Sequence, residues 1–129
     1  MPKSYYADNI TLGTFLTNTP FTPPITVWLA LFLVAPPTPA GGGTEVSGNG
    51  YARQIIAFST PNNGMCSNSA AITFPVDMVA DWTTVVAFGV YDASSGGNLL
   101  YYANLSTSRY VAVNDQIVFP VGQLIAQET

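Results

Sequence analysis

The sequence predicts an all-β protein with the antiparallel architecture of a β-sandwich or jelly roll. Roughly seven or eight short apolar segments follow one another at about ten-residue spacing, which is typical of such folds. Proline- and glycine-containing turns separate the segments, and no helical crossover of the kind that joins parallel strands intervenes. No sequence repeat of fixed period is present, which argues against a propeller or a solenoid.

Residues 1–24 are predicted to form an N-terminal arm ahead of a sandwich domain of residues 25–129. Apolar residues at helical spacing over Ser4–Thr17 predict a short helix with Ser4 as its N-cap. A glycine and several β-branched residues weaken that helix, so an extended arm is the alternative. The prolines of NTPFTPP predict an extended connector over Asn18–Pro24.

The clearest strand is Thr26–Val34, in which apolar side chains occupy both faces. Because such a strand is covered on both sides, we expect a neighbouring subunit on its second face. The segment Pro36–Gly50 is predicted to be a long loop, and loops of this length are often functional. Further strands are expected at Tyr51–Phe58, Ala70–Phe74, Val85–Tyr91, Leu99–Leu105, Arg109–Val113, Gln116–Phe119 and Val121–Ala126. Turns are expected at Pro61–Gly64, Asp92–Asn98 and Asn114–Asp115.

Charged residues are unusually scarce in this chain. Lysine and arginine total 3, aspartate and glutamate total 7, and histidine is absent, whereas 48% of the residues are hydrophobic. An ordinary soluble domain is roughly a quarter charged. Three cations cannot form the basic surface that nucleic acid or an anionic membrane requires, and the apolar segment Ile25–Ala35 is too short to span a bilayer. The composition therefore indicates a surface that is covered by neighbouring chains in an assembly.

The sequence predicts no catalytic, cofactor or metal site. Without histidine, histidine-based triads and zinc motifs are excluded, and the lone Cys66 has neither an activating base nor a second cysteine. The glycine-rich segments lack the lysine and the spacing of a phosphate-binding loop. Asp77 and Asp81 lie four residues apart, but we expect neither a calcium site nor a glycosidase pair there.

Two groups of residues are candidates for contacts between chains. Arg53 lies in an otherwise apolar segment after a loop that contains Glu45, and a buried arginine must be paired. We expect it to organise that loop through a carboxylate or backbone carbonyls, in its own subunit or a neighbour; a solvent-facing edge arginine is the alternative. Aromatic residues form the second group, because tyrosine and tryptophan are enriched at interfaces. The candidate interface residues are Tyr5, Tyr6, Phe21, Trp28, Glu45, Arg53 and Trp82.

Short strings between Trp28 and Tyr101 carry a resemblance to a known family. They are VWLALF (Val27–Phe32), TEVSG (Thr44–Gly48), YAR (Tyr51–Arg53), NSAAITFP (Asn68–Pro75), GVYD (Gly89–Asp92) and GGNLLY (Gly96–Tyr101). In this order they resemble small structural proteins of tailed-bacteriophage virions, among them tail-fibre proteins, and some all-β phage proteins of this size are capsid decoration proteins. The resemblance implies no catalytic residues.

The resemblance implies a non-enzymatic virion protein, assembled in the cytoplasm of the bacterial host. Its expected partners are the major capsid protein or another virion protein, together with copies of itself in a dimer or trimer. We expect capsid decoration, in which a cement protein stabilises the head; a tail-fibre or baseplate component is the alternative. A carbohydrate-binding domain that stacks sugars on Trp82, or an enzyme that uses Asp77 and Asp81, is a third hypothesis. No nucleic acid, membrane, metal or cofactor is expected as a partner.

Overall fold

The computed structural model describes residues 1–36, 41–76 and 78–128 and shows an antiparallel β-fold preceded by one helix. The helix is α1 (Tyr5–Leu16). The strands are β1 (Val27–Val34), β2 (Thr44–Glu45), β3 (Gln54–Ile56), β4 (Met65–Ser67), β5 (Ile72–Thr73), β6 (Thr83–Tyr91), β7 (Leu99–Val111), β8 (Val118–Phe119) and β9 (Ile125–Gln127). The predicted all-β sandwich with a short helical N-terminal segment is confirmed. Asp77 and part of the predicted long loop, residues 37–40, lie outside the described residues.

Five strands form the main sheet, in the order β2-β1-β6-β7, with β3 also paired to β1. One edge of β1 is shared: β3 pairs with its first residues, where Trp28 lies opposite Ile55, and β2 pairs with its last residues. The other edge of β1 pairs along its length with β6. Two smaller antiparallel pairs, β4 with β9 and β5 with β8, complete the strand pairing.

The main core is rich in aromatic side chains, and Phe74 lies within it. Its ring stacks on Tyr51 with 6.0 Å between centroids and meets Trp82 edge-on at 6.4 Å. Leu29 and Leu31 of β1 are fully buried in the same cluster. Successive side chains of a strand alternate between its two faces. Ala30 and Phe32, which neighbour these leucines in β1, therefore face the opposite side of the sheet.

That opposite face of β1 is covered by the chain itself. Ala30, Phe32 and Ala87 are buried there, and the ring of Tyr91 stacks on Phe32 with 6.4 Å between centroids. Gly89 lies beneath these rings, since a Cβ at this position would come within 3.0 Å of the Phe32 ring. The expectation that a neighbouring subunit covers this face is therefore wrong at these residues.

Three strands differ from the sequence prediction. The two strands expected at Leu99–Leu105 and Arg109–Val113 are one strand, β7, whose register with β6 shifts between Val85 and Ala87. That irregularity interrupts the alternation of apolar and polar residues along β7, so the sequence of this one strand resembles that of two strands. β2 lies inside the predicted loop. β4 pairs with β9 along all three of its residues, but a strand of three residues is too short to show an alternating pattern in the sequence. No helix within the described ranges is long and apolar enough to cross a membrane.

Candidate interaction surface

The first residues of the chain are held to the edge of the main sheet. The amide of Ser4 donates to the carbonyl of Leu100 (2.8 Å), and that of Tyr102 donates to the carbonyl of Pro2 (3.1 Å). The Ser4 hydroxyl, which is buried, accepts a hydrogen bond from the Ala7 amide (3.2 Å). Ser4 is thus the predicted N-cap of α1 and also an anchor of the arm to β7.

Beyond this anchor, α1 leaves large apolar side chains in solvent. None of its 12 residues is buried, and Phe15 and Leu16 are 80% and 75% exposed. Tyr5 and Leu12 are more than half exposed, and the four side chains fall within an arc of about 100° around the helix. We call these four residues the arm patch. They expose on the order of 500 Å² together, about the size of the largest apolar patch on a typical monomeric protein, and such patches are often functional contact surfaces.

An uncharged groove lies on another side of the same helix, where the connector folds back. The amides of Thr17 and Thr19 both donate to the carbonyl of Gly13 (3.1 and 2.9 Å). A Cβ on Gly13 would lie 3.4 Å from the Thr19 side chain, which is close to ordinary van der Waals contact, so the connector packs directly on this side of the helix. The groove has a volume of about 230 Å³. It is lined by Tyr6, Asn9, Ile10, Gly13, Thr19, Pro20 and Phe21, and we call it the arm groove.

Three of the predicted interface residues therefore belong to the arm. Tyr5 lies in the arm patch, while Tyr6 and Phe21 line the arm groove. The sequence feature that identified these three residues was their aromatic character in an arm that precedes the sandwich domain. The predicted interface residues did not include Phe15 and Leu16, the most exposed members of the patch, although both end a helix in which no charged residue follows Asp8.

The two tryptophans among the predicted interface residues lie outside the arm. Trp28 is half-buried on β1, opposite Ile55 on one side and Tyr91 on the other. Trp82 is only 3% exposed, and its indole Nε1 donates to the carbonyl of Asn49 (3.0 Å). Trp82 is thus part of the core and presents no ring face on which a sugar could stack, which removes the residue that the carbohydrate hypothesis needs.

Arg53 and Glu45 form an ion pair with two hydrogen bonds. Arg53 Nε donates to one carboxylate oxygen and Nη2 to the other, each at 2.8 Å. Nη1 donates to the carbonyls of Ala93 (2.9 Å) and Gly96 (2.8 Å), and the guanidinium carbon lies 3.8 Å from the centroid of the Tyr91 ring. The predicted pairing with a carboxylate and with carbonyls is confirmed, and all of these partners lie in the same chain.

Tyr51 connects this cluster to β1. Its hydroxyl donates to Glu45 (2.7 Å) and accepts from the amide of Leu31 (3.0 Å). Burial, followed by the hydrogen bond to Glu45, raises the pKa of Tyr51 far above its usual value, and the hydrogen bond to Glu45 raises the pKa of Arg53. Both groups keep their protons at ordinary pH. The cluster therefore holds the loop before β3 and the loop after β6 together.

Asp81 and Glu128 each pair with groups that are distant in the sequence. Asp81 accepts from the Tyr110 hydroxyl (2.7 Å) and the Val113 amide (2.9 Å), and these hydrogen bonds lower its pKa. Glu128 pairs with Lys3 at 2.9 Å. Over residues 1–36, 41–76 and 78–128, no three histidine, cysteine, aspartate or glutamate residues lie close enough together to hold a metal ion.

Comparison with known proteins connects this structure to phage virions. No curated protein matches the chain. Residues 2–127 match a protein family that is described as Podophage GP4 fiber I protein gp80. The matched residues include the arm, the Arg53 cluster and both faces of the main sheet, and the match supports a structural protein of the phage virion. The chain belongs to this family of phage fibre proteins.

Proposed function

We propose that the chain is a non-enzymatic structural component of a phage tail fibre, attached to its neighbours in the virion through the N-terminal arm. The observation that carries this proposal is the arm patch, in which Phe15 and Leu16 are 80% and 75% exposed. Side chains of this size and exposure mark a surface that another molecule covers. The family description names a fibre protein, and it therefore favours the fibre over capsid decoration as the position in the particle.

The chemistry of the arm patch defines the surface that it contacts. None of its four side chains carries a charge, so the free energy of binding comes from burying apolar area. Asp8 lies within the same arc of the helix and pairs with Lys3 at 3.7 Å. The partner is therefore expected to present a mainly apolar surface to Phe15 and Leu16, as another structural protein in the particle would.

The proposal is tested by placing a carboxylate in the arm patch. The variant Phe15→Glu puts an unpaired charge where apolar area is buried on assembly, and it leaves the fold intact because Phe15 is exposed in the chain itself. When each chain is supplied to a phage that lacks its own copy, we expect Phe15→Glu to be incorporated into particles at least about tenfold less than the wild type. Quantitative mass spectrometry of purified particles measures this ratio.

The matched control is Val121→Glu, since Val121 is an exposed apolar residue of the turn before β9. We expect normal incorporation of this control. Equal incorporation of Phe15→Glu would refute the role of the arm, and immunogold label on the head instead of the tail would refute the fibre position. A substitution is preferable to deleting residues 1–20, because residues 2–4 pair with β7 and belong structurally to the sheet.

A further inference from the structure

We propose that a cavity beside the first turn of α1 binds a neutral saccharide, with the rings of Tyr5 and Tyr6 against the sugar and the hydroxyl of Tyr91 hydrogen-bonded to it. The cavity has a volume of about 380 Å³ and lies between α1, the segment before β2 and the turn between β6 and β7. Cavities that bind small molecules in proteins measure about 300 to 1,000 Å³. The site is separate from the buried Trp82, and it does not depend on the structural role proposed above.

Two tyrosine rings line the cavity on the side of the helix. Tyr5 and Tyr6 are 57% and 37% exposed, so both rings are accessible to a ligand. The C–H faces of a sugar ring are apolar and pack against aromatic rings, while the phenol hydroxyl remains free for a hydrogen bond. The two rings therefore supply apolar contact area without a charged group.

Tyr91 contributes a hydroxyl whose position is fixed by the contacts of its ring. The ring stacks on Phe32 with 6.4 Å between centroids, and the guanidinium carbon of Arg53 lies 3.8 Å from its centroid. Burial raises the pKa of Tyr91, because its hydroxyl is partly removed from water. That hydroxyl makes no hydrogen bond to any residue in the described part of the chain. Since a tyrosine hydroxyl removed from water normally has a partner, we expect a ligand in the cavity to supply it.

Asn98 adds an oriented acceptor to the same cavity. Its Nδ2 donates to Asp92 Oδ2 (2.9 Å), and its backbone amide donates to Asp92 Oδ1 (2.7 Å). An ionised carboxylate can only accept, so Asp92 holds the side-chain nitrogen of Asn98 and leaves its Oδ1 without a donor among the described residues. Gly41 and Gly97 contribute only backbone to the wall, so a ligand hydroxyl can approach their peptide groups closely.

This lining favours a neutral ligand that carries hydroxyl groups. Among the described residues no charged side chain lines the cavity, and Arg53 is already paired with Glu45 and with two backbone carbonyls. An acidic ligand would therefore find no free cation. An apolar ligand would leave the Tyr91 hydroxyl and the Asn98 oxygen without partners. A saccharide meets both requirements, because its hydroxyls donate and accept hydrogen bonds and its C–H faces pack on aromatic rings.

The cavity and the exposed end of the helix can be occupied at the same time. Tyr5 belongs to the arm patch, but Phe15 lies ten residues further along α1, which is about 15 Å at the rise of an α-helix. A neighbouring protein that covers Phe15 and Leu16 therefore does not need to close the cavity at the start of the helix.

The test is a glycan array that carries neutral and acidic saccharides, followed by calorimetric titration of the best neutral glycan into the full chain. We expect the wild type to bind neutral glycans and not acidic ones. Tyr91→Phe removes one hydroxyl and keeps the ring, so it should weaken binding about threefold to tenfold. Tyr5→Ala removes a ring against which the sugar packs and should weaken binding at least about tenfold.

The matched control is Tyr110→Phe, which removes the same kind of hydroxyl at the other end of β7, where it donates to Asp81. We expect this control to bind like the wild type, with unchanged circular dichroism in every variant. The absence of binding to any neutral glycan, a preference for acidic glycans, or unchanged affinity in both Tyr91→Phe and Tyr5→Ala would each overturn the proposal. Incorporation of the chain into particles is measured separately, so a failure here leaves the proposed function standing.

Discussion

Arg53 ties distant parts of the chain together with a single side chain. It joins Glu45 to the carbonyls of Ala93 and Gly96, which are 40 or more residues away in the sequence. The pairing with Glu45 was predictable, because a guanidinium in an apolar segment needs acceptors and one carboxylate lies nearby in the chain. The two carbonyls and the Tyr91 ring were not predictable, because only the register of β6 beside β1 brings them within reach.

Replacing Arg53 with alanine should lower the free energy of unfolding by about 2 to 4 kcal/mol, because it leaves the Glu45 carboxylate half-buried without its partner. Arg53→Lys should lose part of this stability, since lysine keeps the charge but not the forked pair of hydrogen bonds. Urea denaturation measures both effects. Arg109→Ala is the control, because Arg109 is exposed and donates to the Gln116 carbonyl without a carboxylate partner in the described part of the chain. A decrease in the free energy of unfolding below about 0.5 kcal/mol for Arg53→Ala would contradict the conclusion that Arg53 holds these loops together.

Glu128 gives the fold a predictable pH dependence. Hydrogen bonds from Tyr101 and then from Lys3 lower the pKa of Glu128 in the folded chain. Its contribution to stability is therefore present above the unfolded pKa of about 4.3 and is lost as the pH falls through the lower folded value. We expect the difference in melting temperature between wild type and Glu128→Gln to be present at neutral pH and to shrink as the pH falls below the unfolded pKa of about 4.3. A difference that is independent of pH would refute this contribution.

At the scale of elements, the helix α1 was predictable but its environment was not. Helical spacing and Ser4 gave both the helix and its N-cap, since capping is a local interaction. The sequence did not specify which surface the apolar residues of this helix contact. In the structure, α1 leaves the sheet after its anchor, and none of its residues is buried. Periodicity predicts that a helix has an apolar face, but not whether that face is covered within the same chain.

The turn between β6 and β7 offers a matched pair of glycines. Both Gly96 and Gly97 have positive φ, at +61° and +73°, but only Gly97 is crowded: a Cβ there would lie 2.5 Å from Asp92 Oδ1. Gly96→Ala should therefore lower the free energy of unfolding by about 1 kcal/mol through backbone strain alone. Gly97→Ala should lower it by at least about 2 kcal/mol, because it also displaces Asp92 from the Asn98 amide. Equal losses in urea denaturation would contradict this account of the turn.

At the scale of the whole molecule, scarce charge predicted a covered surface, and the sequence pattern pointed to two places for it. One was the second face of β1, which the chain covers itself with Tyr91 and its neighbours. The other was the aromatic residues of the N-terminal arm, where the structure shows Phe15 and Leu16 highly exposed at the end of α1. The fold class followed from turn spacing and strand pattern, which are local properties. The interaction surface depends on where the arm leaves the sheet, and no local pattern specifies that.

The central claim is that the arm patch is buried against another chain in the assembled particle. A cryo-electron microscopy reconstruction of the phage that carries this chain tests it most directly. We predict that the chain lies in a tail fibre and that Phe15 and Leu16 are enclosed by a neighbouring protein. A reconstruction in which α1 faces solvent on every copy would contradict the claim.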